Sequence, residues 1–208
     1  MPFTQEVIQF KEVEIHLMYF KSYNPSDYLD QLTDQEKERF FSFKHINRKC
    51  EFVATRILRH RLFGFEHIHY DEHGAPYIEK EGYISISHGP GVVGLALCKN
   101  FKIGLDLEPK RGKALSLQSK FLSEKEKIGF NTFSEDEMTK VWSAKEVLYK
   151  LAGRKKILFK EQLLLEKQTN ENWKGTIINP LETINVDLHI FVHKELIISV
   201  NKSPCEYE

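Results

Sequence analysis

FKIGLDLEPK, residues 101–110, places two carboxylates inside a run that otherwise has the pattern of a buried strand. Side chains alternate along a strand, so Leu105 and Leu107 are predicted on one face and Asp106 and Glu108 on the other. Two like charges this close repel and raise each other's pKa unless a cation lies between them. Two interpretations are open: a strand end that frays into solvent beside the basic residues that follow, or a cation site.

The flanking sequence predicts an antiparallel meander. YISIS (83–87), VVGLALC (92–98) and FKIGLDLE (101–108) read as consecutive strands joined by short turns. The first and third strands of a meander run the same way, so their C-terminal ends share one edge of the sheet. His88, at the end of the first strand, is therefore expected near Asp106 and Glu108.

The predicted helices follow sequence signals for N-terminal capping. Segments 33–36, 123–126 and 134–137 each have the Ser/Thr-x-x-Glu form of a capping box. A further helix is predicted from about 47 to 62, ended by Gly64. Each half of the chain thus combines helices with antiparallel strands, without a convincing internal repeat. We predict an α+β fold with an N-terminal subdomain, 1–104, and a C-terminal subdomain, 105–208.

Composition narrows the class of protein. The 208-residue chain has 30 Lys plus Arg and 30 Asp plus Glu, and this balance argues against a non-specific nucleic-acid binder. The three cysteines include no CxxC pair, which disfavours a disulfide framework or a zinc site and suits a reducing compartment. No signal peptide and no membrane-spanning run is evident. We expect a cytoplasmic protein that binds neither nucleic acid nor membrane.

Two helices carry candidate binding groups. On the helix at 47–62, basic residues fall opposite the apolar ones, either as a solvated face or as a cationic wall for a phosphate-rich ligand: Arg48, Lys49, Arg56 and Arg59. On the later helix, Glu146 and Lys150 lie one turn apart, either as an exposed ion pair or as part of a site. Together with the two strand carboxylates, Glu146 could complete an oxygen site for Mg²⁺.

The sequence resembles the 4′-phosphopantetheinyl transferases of the Sfp type, a two-subdomain group. The family pattern Gly-(Ile/Val/Leu)-Asp-x-Glu stands here as GLDLE (104–108), and Trp-Ser-x-Lys-Glu-x-x-x-Lys stands as WSAKEVLYK (142–150). SISH (85–88), GAPY (74–77) and RKCEFVATR (48–56) are similar to further family segments, and all five occur in the family's order.

The resemblance implies a fold and an activity. Such enzymes consist of two similar α/β subdomains related by a pseudo-two-fold axis, with the active site in the cleft between them. They move the 4′-phosphopantetheine arm of coenzyme A onto a serine of an acyl or peptidyl carrier protein and release adenosine 3′,5′-bisphosphate. Mg²⁺ is the implied cofactor, and the pseudo-dimeric chain is expected to be a monomer.

The resemblance also implies roles for individual residues. Asp106, Glu108 and Glu146 would bind Mg²⁺, and Glu146 would also be the general base. Lys150 would neutralise or protonate the departing phosphate. The residues implied to bind coenzyme A are Arg48, Arg56, Pro76, Ser87, His88, Lys145 and Lys150, with Ser87 and Pro76 on the adenine side. Trp142 is expected to act mainly in packing.

Two positions depart from the family pattern, and two other functions stay open. Ala75 stands where the family commonly has a lysine, so His73 or Lys80 could supply the missing phosphate contact, and Gly89 stands where serine is frequent. The alternatives are a Mg²⁺-dependent phosphohydrolase acting on a nucleotide and a non-catalytic module that binds coenzyme A or a carrier protein.

Overall fold

The structure, a computed structural model, describes residues 2–64, 66–110, 113–153 and 156–208. Within these residues the strands form two antiparallel sheets that pack with helices. The predicted α+β class is therefore confirmed. Among the same residues, no helix combines the length and the hydrophobicity needed to cross a membrane.

The first sheet is built from the N-terminal part of the chain in the order β1-β2-β6-β5-β4-β3. Its strands are β1 Phe3–Phe10, β2 Val13–Phe20, β3 His69–Tyr70, β4 Pro76–Tyr77, β5 Tyr83–Gly89 and β6 Val92–Cys98.

The second sheet follows in the order β7-β11-β10-β9-β8, with a short strand β12 beside β10. Its strands are β7 Leu105–Pro109, β8 Leu163–Lys167, β9 Asn172–Ile178, β10 Thr183–His193, β11 Leu196–Asn201 and β12 Glu206–Tyr207.

The helices flank the two sheets. They are α1 Asp34–Ser42, α2 Ile46–Phe63, α3 Lys113–Leu117, α4 Glu126–Gly129 and α5 Glu135–Leu151, with 3₁₀ turns at Pro25–Gln31 and Gln118–Lys120. The predicted capping boxes at 33–36 and 123–126 are complete. At 134–137 only one half forms: Ser134 caps α5, while Glu137 accepts from the Asn131 N–H and from Lys167.

The predicted three-stranded meander is wrong in its third strand. Strands β5 and β6 pair as expected, but β7 begins only at Leu105 and pairs with β11 in the second sheet. The reason lies in segment 99–104, where Phe101 and Ile103 are buried and the Gly104 N–H donates to Asn201 Oδ1 at 2.8 Å. These contacts carry the chain from one sheet to the other.

Three hydrophobic clusters lie between the layers of helices and sheets. One lies between α2 and the first sheet, and another lies between α5 and the second sheet. The third joins the sheets to each other, because Ile15 and Leu17 of β2 pack there with Leu105, Leu107 and strand β11. The predicted alternation of the β7 side chains between two faces is confirmed. The leucines lie in this shared core, and Asp106 and Glu108 lie on the face toward α5.

Helix α2 does not have the solvated basic face that the simpler interpretation would give. Residues 52–59 are all buried, including Arg56 and Arg59. Both guanidinium groups donate to Glu36, Arg56 at 2.9 Å and Arg59 at 3.2 Å. Since buried charges require partners, Glu36 is what allows two arginines inside this helix layer.

In each half of the chain, the glutamate of a capping box also binds a basic side chain of the neighbouring long helix. Glu36 completes a capping box with Thr33 and also binds the arginines of α2, while Glu126 completes a box with Ser123 and binds Lys145 of α5 at 2.9 Å. The pseudo-two-fold relation of the halves and the domain boundary at 104/105 stay predictions, and the changeover between the sheets falls between Cys98 and Leu105.

Candidate functional site

Asp106 lies where the two sheets and α5 meet. Its side chain is 5% exposed. Oδ1 accepts hydrogen bonds from the Ser87 hydroxyl at 3.1 Å and from the Lys150 ammonium at 3.0 Å. Oδ2 is buried and has no hydrogen-bond partner among the described residues. Two protein donors therefore fix one oxygen of this carboxylate, and the other oxygen has an unused capacity to accept a hydrogen bond or bind a cation.

Glu108, two residues along the same face, is held by α5. The indole N–H of Trp142 donates to Glu108 Oε1 at 2.9 Å. Burial, followed by the negative charge of Asp106, raises the pKa of Glu108 to about 7. Trp142 also stacks on Phe159, with ring centroids 5.5 Å apart. The predicted packing role of this tryptophan is observed, and its hydrogen bond to the carboxylate was not foreseen.

Lys150 links α5 to strand β7. Its ammonium group donates to the backbone carbonyl of Leu105 as well as to Asp106 Oδ1. Glu146 lies one turn earlier on the same helix and lines the same cavity as Lys150 and Ser87. The structure thus places Glu146, Lys150 and Asp106 around one region.

His88 is a neutral imidazole in this setting. Thr55 Oγ1 lies 2.8 Å from the Glu51 carbonyl and 3.2 Å from His88 Nε2. Because the single hydroxyl proton donates to the carbonyl, we infer that Nε2 carries the proton and donates to Thr55. Burial, followed by the positive charges of Arg48, Lys150 and Arg56, lowers the pKa of His88 to about 4.

A cationic cavity of about 660 Å³ opens beside these groups. Cationic side chains outnumber acidic ones on its wall, with Arg39, Arg48, Arg56 and Lys150 against Glu51 and Glu146, and His73 and the neutral His88 also line it. Pro76 and Ser87 also line it. Such an excess of arginine favours ligands that carry phosphate groups.

The arginines of this cavity are held in different ways. Arg56 is 2% exposed, donates to Glu36 and to the Tyr70 hydroxyl, and lies 4.1 Å from the centre of the Phe52 ring. Arg48 is exposed and pairs with Glu51 at 2.7 Å. Arg56 is therefore preorganised by its partners, whereas Arg48 sits at the rim.

Lys145 is not brought to this cavity. It is fully buried, and its ammonium group donates to the carbonyls of Phe121 and Phe159 and to Glu126 Oε2. These contacts use all three ammonium protons. The geometry argues against the phosphate contact predicted for Lys145 and assigns it to the packing of α5.

An apolar cavity of about 950 Å³ also has His88 on its wall. Its wall includes Phe20, Ile46, Leu117, Trp142, Glu108, Lys21 and Lys113. His88 and Glu51 line both cavities, and Glu108 of the acidic strand end lines the apolar one.

Residues 102–200 match the family model ACPS, the 4′-phosphopantetheinyl transferase superfamily. The match covers just under half of the 208-residue chain. It includes Asp106, Glu108, Glu146 and Lys150, and it supports a transferase of this superfamily. A search of curated proteins found no match.

The acidic strand end fits a divalent cation. A buried carboxylate oxygen that has no donor among the described residues, and a neighbouring carboxyl whose pKa is raised, are both features that a bound cation would relieve. Among the described residues, however, no three His, Cys, Asp or Glu side chains form a group that could hold a metal by themselves. The predicted ligand set of Asp106, Glu108 and Glu146 therefore stays a prediction, in which substrate oxygens and water would complete the coordination.

Several residues of the site were missed by sequence analysis. Arg39 lies over the Tyr70 ring at 4.4 Å, and both residues line the cationic cavity. Thr55 and Glu36, which orient His88 and Arg56, were likewise not singled out as site residues. Each acts through a contact with a segment distant in sequence, so local spacing gave no signal.

Ala75 replaces a lysine that is common in the family, and His73 and Lys80 were the two residues predicted to supply its phosphate contact. His73 lines the cationic cavity, whereas Lys80 is not among the described residues that line it. Of the two, His73 is therefore the group placed to contact a phosphate there.

Proposed function

We propose that this chain is a 4′-phosphopantetheinyl transferase that moves the phosphopantetheine arm of coenzyme A onto a serine of an acyl or peptidyl carrier protein. The observation that carries the proposal is the junction of Asp106 and Lys150 beside the cationic cavity, inside the segment that matches the superfamily model. A cavity with arginines on its wall lies beside a carboxylate oxygen that has no hydrogen-bond partner among the described residues, and this arrangement supports the proposal.

Coenzyme A would bind with its phosphates in the cationic cavity. Arg56, fixed by Glu36, and Arg48 at the rim supply guanidinium donors, and Arg39 adds a third. His88, whose Nε2 is used by Thr55, would contact a phosphate through Nδ1, which donates only when the ring takes up a proton together with the anionic ligand. Pro76 and Ser87 would lie on the adenine side, and the apolar cavity would take the pantetheine arm. Lys145 would make none of these contacts, because its three ammonium protons already have acceptors within the protein.

In the transfer step, the serine oxygen of the carrier attacks the phosphorus that bears the pantetheine arm. The bond from that phosphorus to the bridging oxygen breaks, and adenosine 3′,5′-bisphosphate leaves. Glu146 accepts the serine proton, directly or through a water. Lys150 turns its ammonium toward the developing charge on the leaving phosphate and neutralises or protonates it.

Asp106, Glu108 and Glu146 would hold Mg²⁺ at this site. When bound, the ion supplies Lewis-acid stabilisation of the pyrophosphate and orients it. The buried Oδ2 of Asp106 and the high pKa of Glu108 support these two residues as ligands. We further propose that the enzyme is monomeric and cytoplasmic, which light scattering and fractionation would test.

The test is the intact mass of candidate carrier proteins after incubation with the protein, Mg²⁺ and coenzyme A. The expected result is the phosphopantetheine increment on a carrier together with release of adenosine 3′,5′-bisphosphate. Glu146→Gln should abolish the increment, while Glu135→Gln, at the exposed start of the same helix, should not. Release of nucleotide without a carrier would indicate a hydrolase. Coenzyme A binding without either product would indicate a binding module.

A further inference from the structure

We propose that Ser87 is a positioning residue that fixes the carboxylate of Asp106, an inference that rests on the proposed function for its catalytic consequence. The two residues belong to different sheets, so the contact joins the halves of the molecule at the reacting site.

In the part of the chain that the structure describes, β7 is an edge strand of the second sheet. On one side this strand pairs with β11. On the other side, the N–H groups of Leu105 and Leu107 donate to the hydroxyls of Ser85 at 2.9 Å and Ser87 at 3.1 Å. Both serines are buried, with 3% and 6% exposure. Two side chains of β5 thus replace the backbone carbonyls that a neighbouring strand would supply.

The two serines differ in a second contact. The Ser87 hydroxyl accepts from the Leu107 N–H, and its own proton donates to Asp106 Oδ1 at 3.1 Å. Ser85 supports Leu105 in the same way, but the hydroxyl bond to Asp106 comes from Ser87. The pair therefore separates two roles: both serines support the backbone of β7, and Ser87 also orients the carboxylate.

The need for this second contact follows from Lys150. A lysine ammonium is a point charge on a flexible stem and fixes geometry weakly. In the proposed reaction Lys150 also turns toward the leaving phosphate, and Oδ1 then loses one of its two donors. Ser87, on a central strand, keeps Oδ1 in place and so keeps Oδ2 as the oxygen to which no described residue donates.

The experiment compares Ser87→Ala with Ser85→Ala. Mn²⁺ affinity is measured by electron paramagnetic resonance on protein saturated with coenzyme A, and crystal structures of both variants are determined without ligands. Since loss of such a supporting hydrogen bond typically weakens metal binding on the order of 10- to 100-fold, we expect that loss for Ser87→Ala and a change within about twofold for Ser85→Ala. The crystals should show the Asp106 carboxylate turned only in Ser87→Ala. Ser87→Cys, which nearly preserves volume, should fall between the two.

Equal effects of the two alanine substitutions, or an unmoved carboxylate in Ser87→Ala, would overturn the positioning role. If the unmutated protein bound no Mn²⁺, the proposed function would fail instead. The crystal structures would still decide whether Ser87 holds Asp106, so the two failures are distinguishable.

Discussion

The ammonium group of Lys145 lies 2.9 Å from Glu126 Oε2, and both side chains are buried. The same carboxylate accepts from the Ser123 backbone and from the Leu165 N–H. A single ion pair therefore ties α5, the loop before α4 and strand β8 together.

Lys145→Met should destabilise the protein by about 3 kcal/mol, because it leaves the Glu126 charge buried without its cation. Urea unfolding measures this change. The KM for coenzyme A should stay unchanged in folded protein, since Lys145 does not reach the cavity. A stable Lys145→Met variant with a strongly raised KM would contradict this expectation and indicate that Lys145 binds a phosphate.

Glu36→Gln should weaken coenzyme A binding although Glu36 only supports the arginines. Loss of the carboxylate leaves Arg56 and Arg59 repelling each other and frees Arg56 to move. We expect the Kd, measured by calorimetry, to rise about tenfold, because loss of a hydrogen bond to a charged group costs about 1.5 kcal/mol. Glu38→Gln, at an exposed position of α1, is the matched control and should not change the Kd. Equal affinities for the two variants would contradict this role.

His88→Gln should reduce the acid sensitivity of folding. Burial and neighbouring cations lower the pKa of His88 from 6.5 to about 4, so the unfolded chain binds the proton more readily between these values. The contribution of His88 to the free energy of unfolding is complete above pH 6.5. It decreases as the pH drops toward 4, by up to about 3 kcal/mol. Unfolding free energies measured across this range should fall less in His88→Gln. The exposed His67 provides the control substitution, and parallel curves for His88→Gln and the unmutated protein would refute the assignment.

Trp142→Phe should keep the ring packing against Phe159 and remove the donor to Glu108. Because that hydrogen bond lowers the pKa of Glu108, its loss should raise the pKa further in the metal-free protein. Since a metal competes with the proton for this carboxylate, the pH profile of Mn²⁺ affinity should shift to higher pH, with affinity at neutral pH reduced about tenfold. An unshifted profile would mean that Trp142 acts in packing alone.

The sequence predicted the parts of the site that alternation and helical spacing control. Leu105 and Leu107 face the shared core, Asp106 and Glu108 face α5, and Glu146 and Lys150 line one cavity.

The sequence prediction failed at β7, where the local pattern continued a meander. Burial of Phe101 and Ile103 is set by packing against strands from both sheets, which local alternation does not reveal. The bond from Gly104 to Asn201 likewise joins residues 97 positions apart.

Charge partners were also beyond sequence analysis. Arg56 and Lys145 look equally available in a helical projection, but both are buried against a carboxylate of a capping box. A capping-box motif predicts a helix start and gives no indication that its glutamate also binds a cation on another helix. Only Arg56 of these two also lines the cavity.

The connection between the sheets has a consequence for motion. Phe101 and Ile103 anchor it in the hydrophobic layer that Ile15 of β2 and Ile198 and Val200 of β11 complete, so this connection is poorly suited to serve as a hinge. Opening and closing of the halves as rigid lobes would have to break that layer at every turnover. We therefore expect the protein to admit its substrates through the rims of its cavities, with the two sheets moving as one body.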